Sequence, residues 1–436
     1  MTLKNHENSG SIRWFICTLV FLATTINYLD RAVISLLKPT LEKAYNWSET
    51  DYSRIVTAFQ LSYAIGLLLA GRVIDKIGTK SGYALSLTLW SVAAIGHAFV
   101  VSTGGFILAR TALGISEAGN FPAAIKTVAE WFPKAERSFA TGFFNSGTAL
   151  GAILAPLTVP FIEVRLGWQW AFILTGAVGL LWLVLWFRAF SKPETHPRIS
   201  AAELAYIQSD TDEVVKGAGE TEEPVKWVSL LRYRQTWAYV CGKFFTDPVW
   251  WFYLFWLPAF LKAQYGLEKT DLALPVATVY ILSAIGSVVG GWLPYSLIRS
   301  GMPVFRSRKL AMFGYALCAL PVMAAQWLGS FNMWWAVLII GFGAAAHQAW
   351  SANIYTTVSD MFPKKAVASV TGIGGMAGAL GGMLIAVLAG ALFDHYKILG
   401  NLPKGYAIMF FICGFAYLFT WLLMHLLAPR MKRIDL

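Results

Sequence analysis

What this sequence has least of is charge. Only 14% of its 436 residues are Asp, Glu, Lys or Arg, against 57% hydrophobic residues, where water-soluble chains carry about 25% charged and about 45–50% apolar residues. Too few ionic groups are present to cover a folded surface in water, so lipid must face most of it. Cysteine is scarce too: Cys17, Cys241, Cys318 and Cys413 lie apart in apolar stretches without C-x-x-C spacing. That argues against a disulfide framework and a thiolate zinc site. A phosphate-cradling glycine loop and a nucleophile–base spacing are also missing, which sets aside ATP-driven transport and enzymatic chemistry. The polar start MTLKNHENSGSIRW runs straight into a long apolar segment without a small-residue cleavage site, so no cleaved signal peptide is expected.

What is present is a series of apolar runs of membrane-spanning length. They fall at about 13–37, 54–75, 81–102, 104–131, 137–162 and 168–189, and again at about 237–263, 271–298, 309–328, 332–361, 367–393 and 405–428. The expectation is an all-α integral membrane protein of twelve spanning helices in two six-helix bundles, residues 1–190 and 236–436. Residues 191–235, with prolines and acidic clusters and one short amphipathic stretch near Ile199–Ile207, read as a cytoplasmic linker. The excess of 35 basic over 24 acidic residues is concentrated on one side, at Arg72, Lys76, Lys80, Arg188, Arg299, Arg306, Arg308, Lys309, Arg430 and Arg433. By the positive-inside rule that side is the cytoplasm, with both termini on it, and the charge reports topology rather than nucleic-acid binding.

The halves echo each other. Glu130-Trp-Phe-Pro-Lys, Thr141-Gly142 and Ala149-Leu150-Gly151 return 230 residues later as Asp360-Met-Phe-Pro-Lys, Thr371-Gly372 and Ala379-Leu380-Gly381. Ala64-Ile65-Gly66 with Gly71 returns at an offset of 220 as Ala284-Ile285-Gly286 with Gly291. Two repeats of six helices are the internal plan of many secondary transporters.

The loop after the second segment reads Gly71-Arg-Val-Ile-Asp75-Lys76-Ile-Gly78-Thr-Lys80 and resembles the G-x-x-x-D-[RK]-x-G-x-[RK] loop of the major facilitator superfamily. Gly71 and Gly78 permit a tight turn and close approach, while Asp75 and Lys76 are candidates for gating. In the second copy Pro294 stands where Asp is expected, so the stronger latch is expected on the first half. Asn27-Tyr28-Leu29-Asp30-Arg31, Arg110-x3-Gly114-x2-Glu117-Ala-x-Asn120-Phe-Pro and Glu130-Trp-Phe-Pro resemble the anion:cation symporter family. Ala346-His347-Gln348-Ala349 and Phe244-x2-Asp247-Pro248 are similar to bacterial hexuronate transporters. That resemblance, which runs along essentially the whole chain, implies proton-coupled uptake of a sugar-acid anion such as glucuronate or galacturonate across a bacterial cytoplasmic membrane. Import of an aldonate, aldarate or other organic anion is the alternative, and a non-transporting sensor is the alternative from another class. A flux assay separates these.

Ionisable groups inside spanning segments are expensive and therefore functional candidates: Asp30, Arg31, Arg110, Glu117, Lys243, Asp247 and His347. Arginine pairs bidentately with a carboxylate and keeps its charge in a cavity, so Arg31, helped by Arg110, is expected to clamp the substrate carboxylate. Asp30 and Glu117 are expected to carry protons. A static Asp30–Arg110 or Glu117–Arg31 bridge is the structural alternative. The 230-residue offset sets His347 opposite Glu117. Lys243, Asp247 and Trp251 share one face of the seventh segment beside Pro248, a break expected to mark a gate, with Trp251 stacking on a sugar ring. Tyr28, Tyr63, Asn145, Gln348 and Asn353 are candidate readers of hydroxyls. No metal or cofactor is expected, and no obligate protein partner.

Overall fold

A computed structural model describes residues 11–47, 49–209, 227–267 and 269–434. Its spanning helices are α1 (Ile12–Leu36), α2 (Glu49–Ile77), α3 (Thr79–Gly96), α4 (Thr103–Glu117 and Asn120–Trp131), α5 (Lys134–Asn145 and Gly147–Leu166) and α6 (Trp168–Ala189). The second bundle holds α7 (Arg234–Tyr265), α8 (Ala273–Arg299), α9 (Val304–Ala319, continued to Gly329), α10 (Met333–Met361), α11 (Lys364–Ile398) and α12 (Leu402–Leu427). In lipid each backbone polar group must be satisfied within its own segment, which helices achieve. Large apolar side chains such as Val92, Leu181, Ile285, Leu384 and Phe411 point outward, as a lipid-facing surface requires.

Nine of these helices are apolar enough to cross a membrane by composition, and the three that fall short are α4, α7 and α10. These are the helices carrying Arg110 and Glu117, Lys243 and Asp247, and His347 and Gln348. Their polarity is turned inward.

The repeat seen in the sequence is a repeat of backbone geometry. Phe132 and Phe362 both leave their helices in extended conformation, with φ/ψ of −126/136° and −117/148°, and Pro133 and Pro363 follow at −62/154° and −65/152°. The same symmetry builds the seam between bundles. A Cβ at Gly71 would lie 2.3 Å from the Ala368 carbonyl oxygen, and one at Gly291 would lie 2.3 Å from that of Ser138. Likewise Gly142 faces the Ser287 carbonyl and Gly372 that of Leu67, each at 2.2 Å from where a Cβ would stand. Offsets of 220 for α2/α8 and 230 for α5/α11 convert one set of contacts into the other.

Two expectations need correction. α4 is not one helix but is interrupted at Ala118 and Gly119, where Gly119 lies so close to α3 that a Cβ would overlap the Ser86 hydroxyl. α7, conversely, is unbroken at Pro248. Proline has no N–H for the carbonyl of residue 244. That oxygen instead faces the Cα of Gly381, where a Cβ would sit 2.3 Å from it and 2.8 Å from the proline ring, so the lost bond is covered by close helix packing.

The linker begins as a clasp on the first bundle. Ser200 caps helix Ala201–Ile207 by accepting a bond from the Glu203 N–H, a capping arrangement. The fully buried Glu203 carboxylate accepts from the Arg13 backbone and guanidinium, and Arg13 also pairs with Glu136 at 2.9 Å. Tyr206 donates to Glu136 over 2.9 Å, and burial beside that carboxylate raises its hydroxyl above the ordinary phenol range. Residues 210–226 of the expected linker lie outside the described residues.

Replacing Gly372 by Val should keep the cytoplasmic seam from closing. Ser359→Cys, at a buried position, reports this: its modification by a membrane-impermeant thiol reagent applied to the cytoplasmic face should rise at least tenfold in the Gly372→Val background.

Candidate functional site

Between the bundles lies a cavity lined from both walls. Of the candidates, Tyr28, Arg31, Tyr63, Asn145, Lys243, Asp247, Trp251, His347 and Gln348 line it. The remainder stand behind or below.

On the first bundle's wall, Arg31 rests in an aromatic box, its guanidinium carbon 4.8 Å from the Tyr28 ring, 5.1 Å from Phe59 and 4.6 Å from Tyr63. Its Nη2 and Nε reach Glu117 Oε2 at 3.0 and 3.1 Å, and Nη2 also touches Asn27 Oδ1 at 3.4 Å. Glu117 is fully buried, with Oε1 unpartnered. Arg110 sits deeper, its guanidinium carbon 4.8 Å from the Phe59 ring as well, donating only to the Arg31 carbonyl at 3.4 Å and leaving Nε and Nη1 without acceptors. Neither oxygen of the buried Asp30 has a hydrogen-bonded donor, although the Thr175 hydroxyl is its polar neighbour. So Glu117, Arg110 and Asp30 form a second layer behind Arg31, and among them only Arg31 meets the cavity.

On the second bundle's wall, Lys243 pairs with Asp247 Oδ2 at 2.7 Å, donates to the Tyr355 hydroxyl over 3.0 Å and lies 4.1 Å over that ring's centroid. A Cβ at Gly378 would come 2.2 Å from Asp247 Oδ2, and one at Gly382 would come 2.4 Å from Trp251. Both glycines make room for side chains of the wall. His347 Nδ1 is 2.7 Å from the Tyr417 hydroxyl, and its ring stacks on Trp250 at 5.4 Å and 10°. Asn353 does not reach the cavity: its amide donates to the carbonyls of Gly290 and Ala349 at 2.8 and 2.9 Å, joining α10 to α8. It holds the bundle rather than reading hydroxyls.

The passage toward the cytoplasmic face is sealed in layers. Asn145 donates to Gln348 Oε1 over 2.8 Å and to Ser287 Oγ over 3.1 Å, bridging the bundles at the cavity floor. Phe121 stacks on Tyr355 at 5.3 Å below it. The glycine–carbonyl seam follows, and then a charged latch. Asp75 pairs with Lys126 at 2.7 Å and accepts the backbone N–H groups of Ala368 and Ser369 at 3.3 and 2.7 Å. Gly78 supplies the turn at φ +85°, and Lys76 is exposed.

The second half has a charged latch of its own. Arg308 binds Asp360 at 3.0 Å and donates to the Lys134 carbonyl over 2.7 Å, while Arg137 donates to the Ser359 carbonyl and approaches Asp360 at 3.7 Å. Counted from Gly291, the position matching Asp75 is Tyr295, not Pro294. Tyr295 stacks on Phe139 at 5.9 Å, and Phe139 is the counterpart of Ser369. A ring contact stands in place of the carboxylate, and the charge has moved to residue 360.

Sequence reasoning passed over Phe59, Phe121 and Tyr355, named Trp250 beside Trp251 as a ring that could stack on a sugar, and gave Lys243 no role. Lys243 carried a signal, an ammonium four residues from a carboxylate in a spanning segment. Phe59 sits four residues before Tyr63 on one helix face, a signal only once Arg31 is known to lie against that face.

Two repeated bundles enclosing a central cavity, open to alternate sealing and bearing charges in the membrane interior, define a secondary membrane transporter rather than an enzyme. The chain belongs to the Major Facilitator Superfamily, whose sequence pattern matches residues 20–386. It is 34% identical over 385 residues to the hexuronate transporter of Escherichia coli (strain K12), covering 88% of each chain. Over 283 residues it is 35% identical to the galacturonate transporter of Dickeya chrysanthemi, covering 65% of this chain and 81% of that one. Among solved structures it superimposes on the proton:xylose symporter XylE with a TM-score of 0.74 at 16% identity, over 97% of both chains.

Asp75→Asn leaves the Lys126 ammonium buried without its counter-charge, a change that typically costs about 3–5 kcal/mol. Thermal unfolding in detergent should show the loss, and the double variant Asp75→Asn/Lys126→Met should recover more than half of it. Equal instability of single and double variants would show that the pair contributes nothing beyond the separate residues.

Proposed function

We propose that the protein imports a sugar-acid anion, a hexuronate such as glucuronate or galacturonate, in symport with protons by alternating access. The observation that carries the reading is Arg31, a cavity-facing guanidinium whose charge is held from behind by a buried carboxylate, Glu117. The names of the relatives, hexuronate and galacturonate transporters, support the substrate class.

In the proposed cycle, a proton reaching Glu117 from the outer side discharges the carboxylate and frees the Arg31 fork for the substrate carboxylate, with which it can pair bidentately. Asp30 is the second proton site, buried close enough to Glu117 for their charges to repel. Tyr28, Tyr63, Asn145, His347 and Gln348 offer hydrogen bonds to the hydroxyls, Arg110 supports the field behind Arg31, and Trp251 offers a face to the ring. Closure over the substrate then opens the layers beneath it, ending at Asp75 and the two glycines of its loop. Asp247 and Pro248 on α7, packed against α11, take part in that movement. Loss of the protons to the more alkaline interior returns Glu117 to Arg31 and expels the anion.

One proton with one monovalent anion moves no net charge and contributes about 1.4 kcal/mol per pH unit. A second proton doubles that and adds about 2.3 kcal/mol per 100 mV of membrane potential. With two carboxyl sites the second case is favoured.

In proteoliposomes, an inward proton gradient should drive accumulation of labelled glucuronate or galacturonate. Asp30→Asn and Glu117→Gln should keep gradient-free counterflow and lose accumulation, whereas Arg31→Ala should lose both by at least tenfold. Imposing an interior-negative potential should raise the wild-type rate. Accumulation indifferent to potential would remove the second proton, and movement of neither uronate would remove the substrate.

A further inference from the structure

The two walls of the cavity carry the same kinds of charge in opposite order of depth. At the Arg31–Glu117 pair the guanidinium is 15% exposed and the carboxylate 0%. At the Lys243–Asp247 pair the ammonium is 2% exposed and the carboxylate 19%. The Lys243 ammonium is committed to Asp247 and to Tyr355, and Gly378 leaves the Asp247 carboxylate just the room it occupies. A molecule in the cavity therefore meets a cation on the first bundle and an anion on the second.

From this reversed order we infer that Asp247 is a specificity-determining residue that selects monocarboxylate sugar acids with a hydroxylated far end and rejects dicarboxylates of the same length. The inference rests on the sugar-acid reading above and narrows it. A substrate carboxylate seated at Arg31 sends the rest of the molecule toward the other wall. Hydroxyl groups there donate to Asp247 in charge-assisted hydrogen bonds, stronger than neutral ones. A second carboxylate would instead face a like charge in a confined cavity, the kind of repulsive element by which sites refuse close analogues. Lys243 offsets part of that charge from behind, but it is 2% exposed against 19% for the carboxylate, so the group a ligand reaches is the carboxylate.

The decisive ligands are galactonate and galactarate, linear six-carbon acids that differ only in bearing a hydroxymethyl or a carboxylate at the far end. Calorimetric titration of the purified full-length protein should give galactonate at least a tenfold lower Kd than galactarate. In Asp247→Asn, and in Asp247→Ser should the first variant not fold, that ratio should fall at least fivefold, with galactarate gaining from the released Lys243 charge. Equal affinity of the wild type for the two acids overturns the inference without any variant, as does a ratio that neither substitution changes. Glucuronate is titrated alongside. Its binding together with indifference to the second carboxylate sinks this inference alone, while failure of all three acids to bind sinks the sugar-acid reading and this inference with it.

Discussion

An ionised group inside a membrane protein must have its counter-charge close by, and the architecture is arranged around that requirement. Taking a lone charge out of water costs several kcal/mol even after relaxation. Each buried pair here spans two helices or two turns of one: Arg31 of α1 with Glu117 of α4, Lys126 of α4 with Asp75 of α2, Arg308 of α9 with Asp360 of α10, and Lys243 with Asp247 within α7. The pairs fix which helices face inward. They also explain how α4 and α7 can carry several charges inside the membrane, since those charges are turned away from lipid.

The pairs differ in what opening them would expose. Asp75 and Asp360 bind partners on both bundles, so separating the bundles at the cytoplasmic face removes backbone and guanidinium contacts but leaves each carboxylate a cation of its own half, Lys126 or Arg308. The two carboxylates therefore keep a counter-charge whether the seam is closed or parted. At the cavity the pairs lie within single bundles, so movement of the bundles does not break them, and only protonation or ligand can.

Much of this was legible in the sequence, for identifiable reasons. Most of the twelve spans follow from apolar length, and the repeat follows from residues that recur at fixed offsets because the same turn, Phe-Pro with its extended backbone, is built twice. Arg31, Asp247, His347 and Gln348 announce themselves as polar residues at midplane depth. What could not be read was rotation about each helix axis. Asp30 and Arg31 are neighbours in the chain, yet one enters the buried layer and the other the cavity. Asn353 has the depth of a binding residue and the wrong azimuth. Choosing Pro294 over Tyr295 was an error of one residue, which on a helix turns a side chain through about 100°. Phe59 became meaningful only when two arginines from different helices were found against its ring.

The four glycine–carbonyl contacts of the seam have a consequence for how such a chain can have evolved. If the two halves descend from one ancestral unit, a contact made by the first half's α2 on the second half's α11 and its counterpart by α8 on α5 began as the same contact, made twice in a symmetric pair. The surfaces that must slide and reseal are thereby coupled, since enlarging one glycine unbalances a closure that its twin still permits. Positions 117 and 347 carry no such bond to each other. One has become a carboxylate behind an arginine and the other an imidazole beneath a tryptophan. Duplication thus left the moving surfaces alike and gave the centre two unlike faces, which is what an asymmetric cargo requires of a symmetric machine.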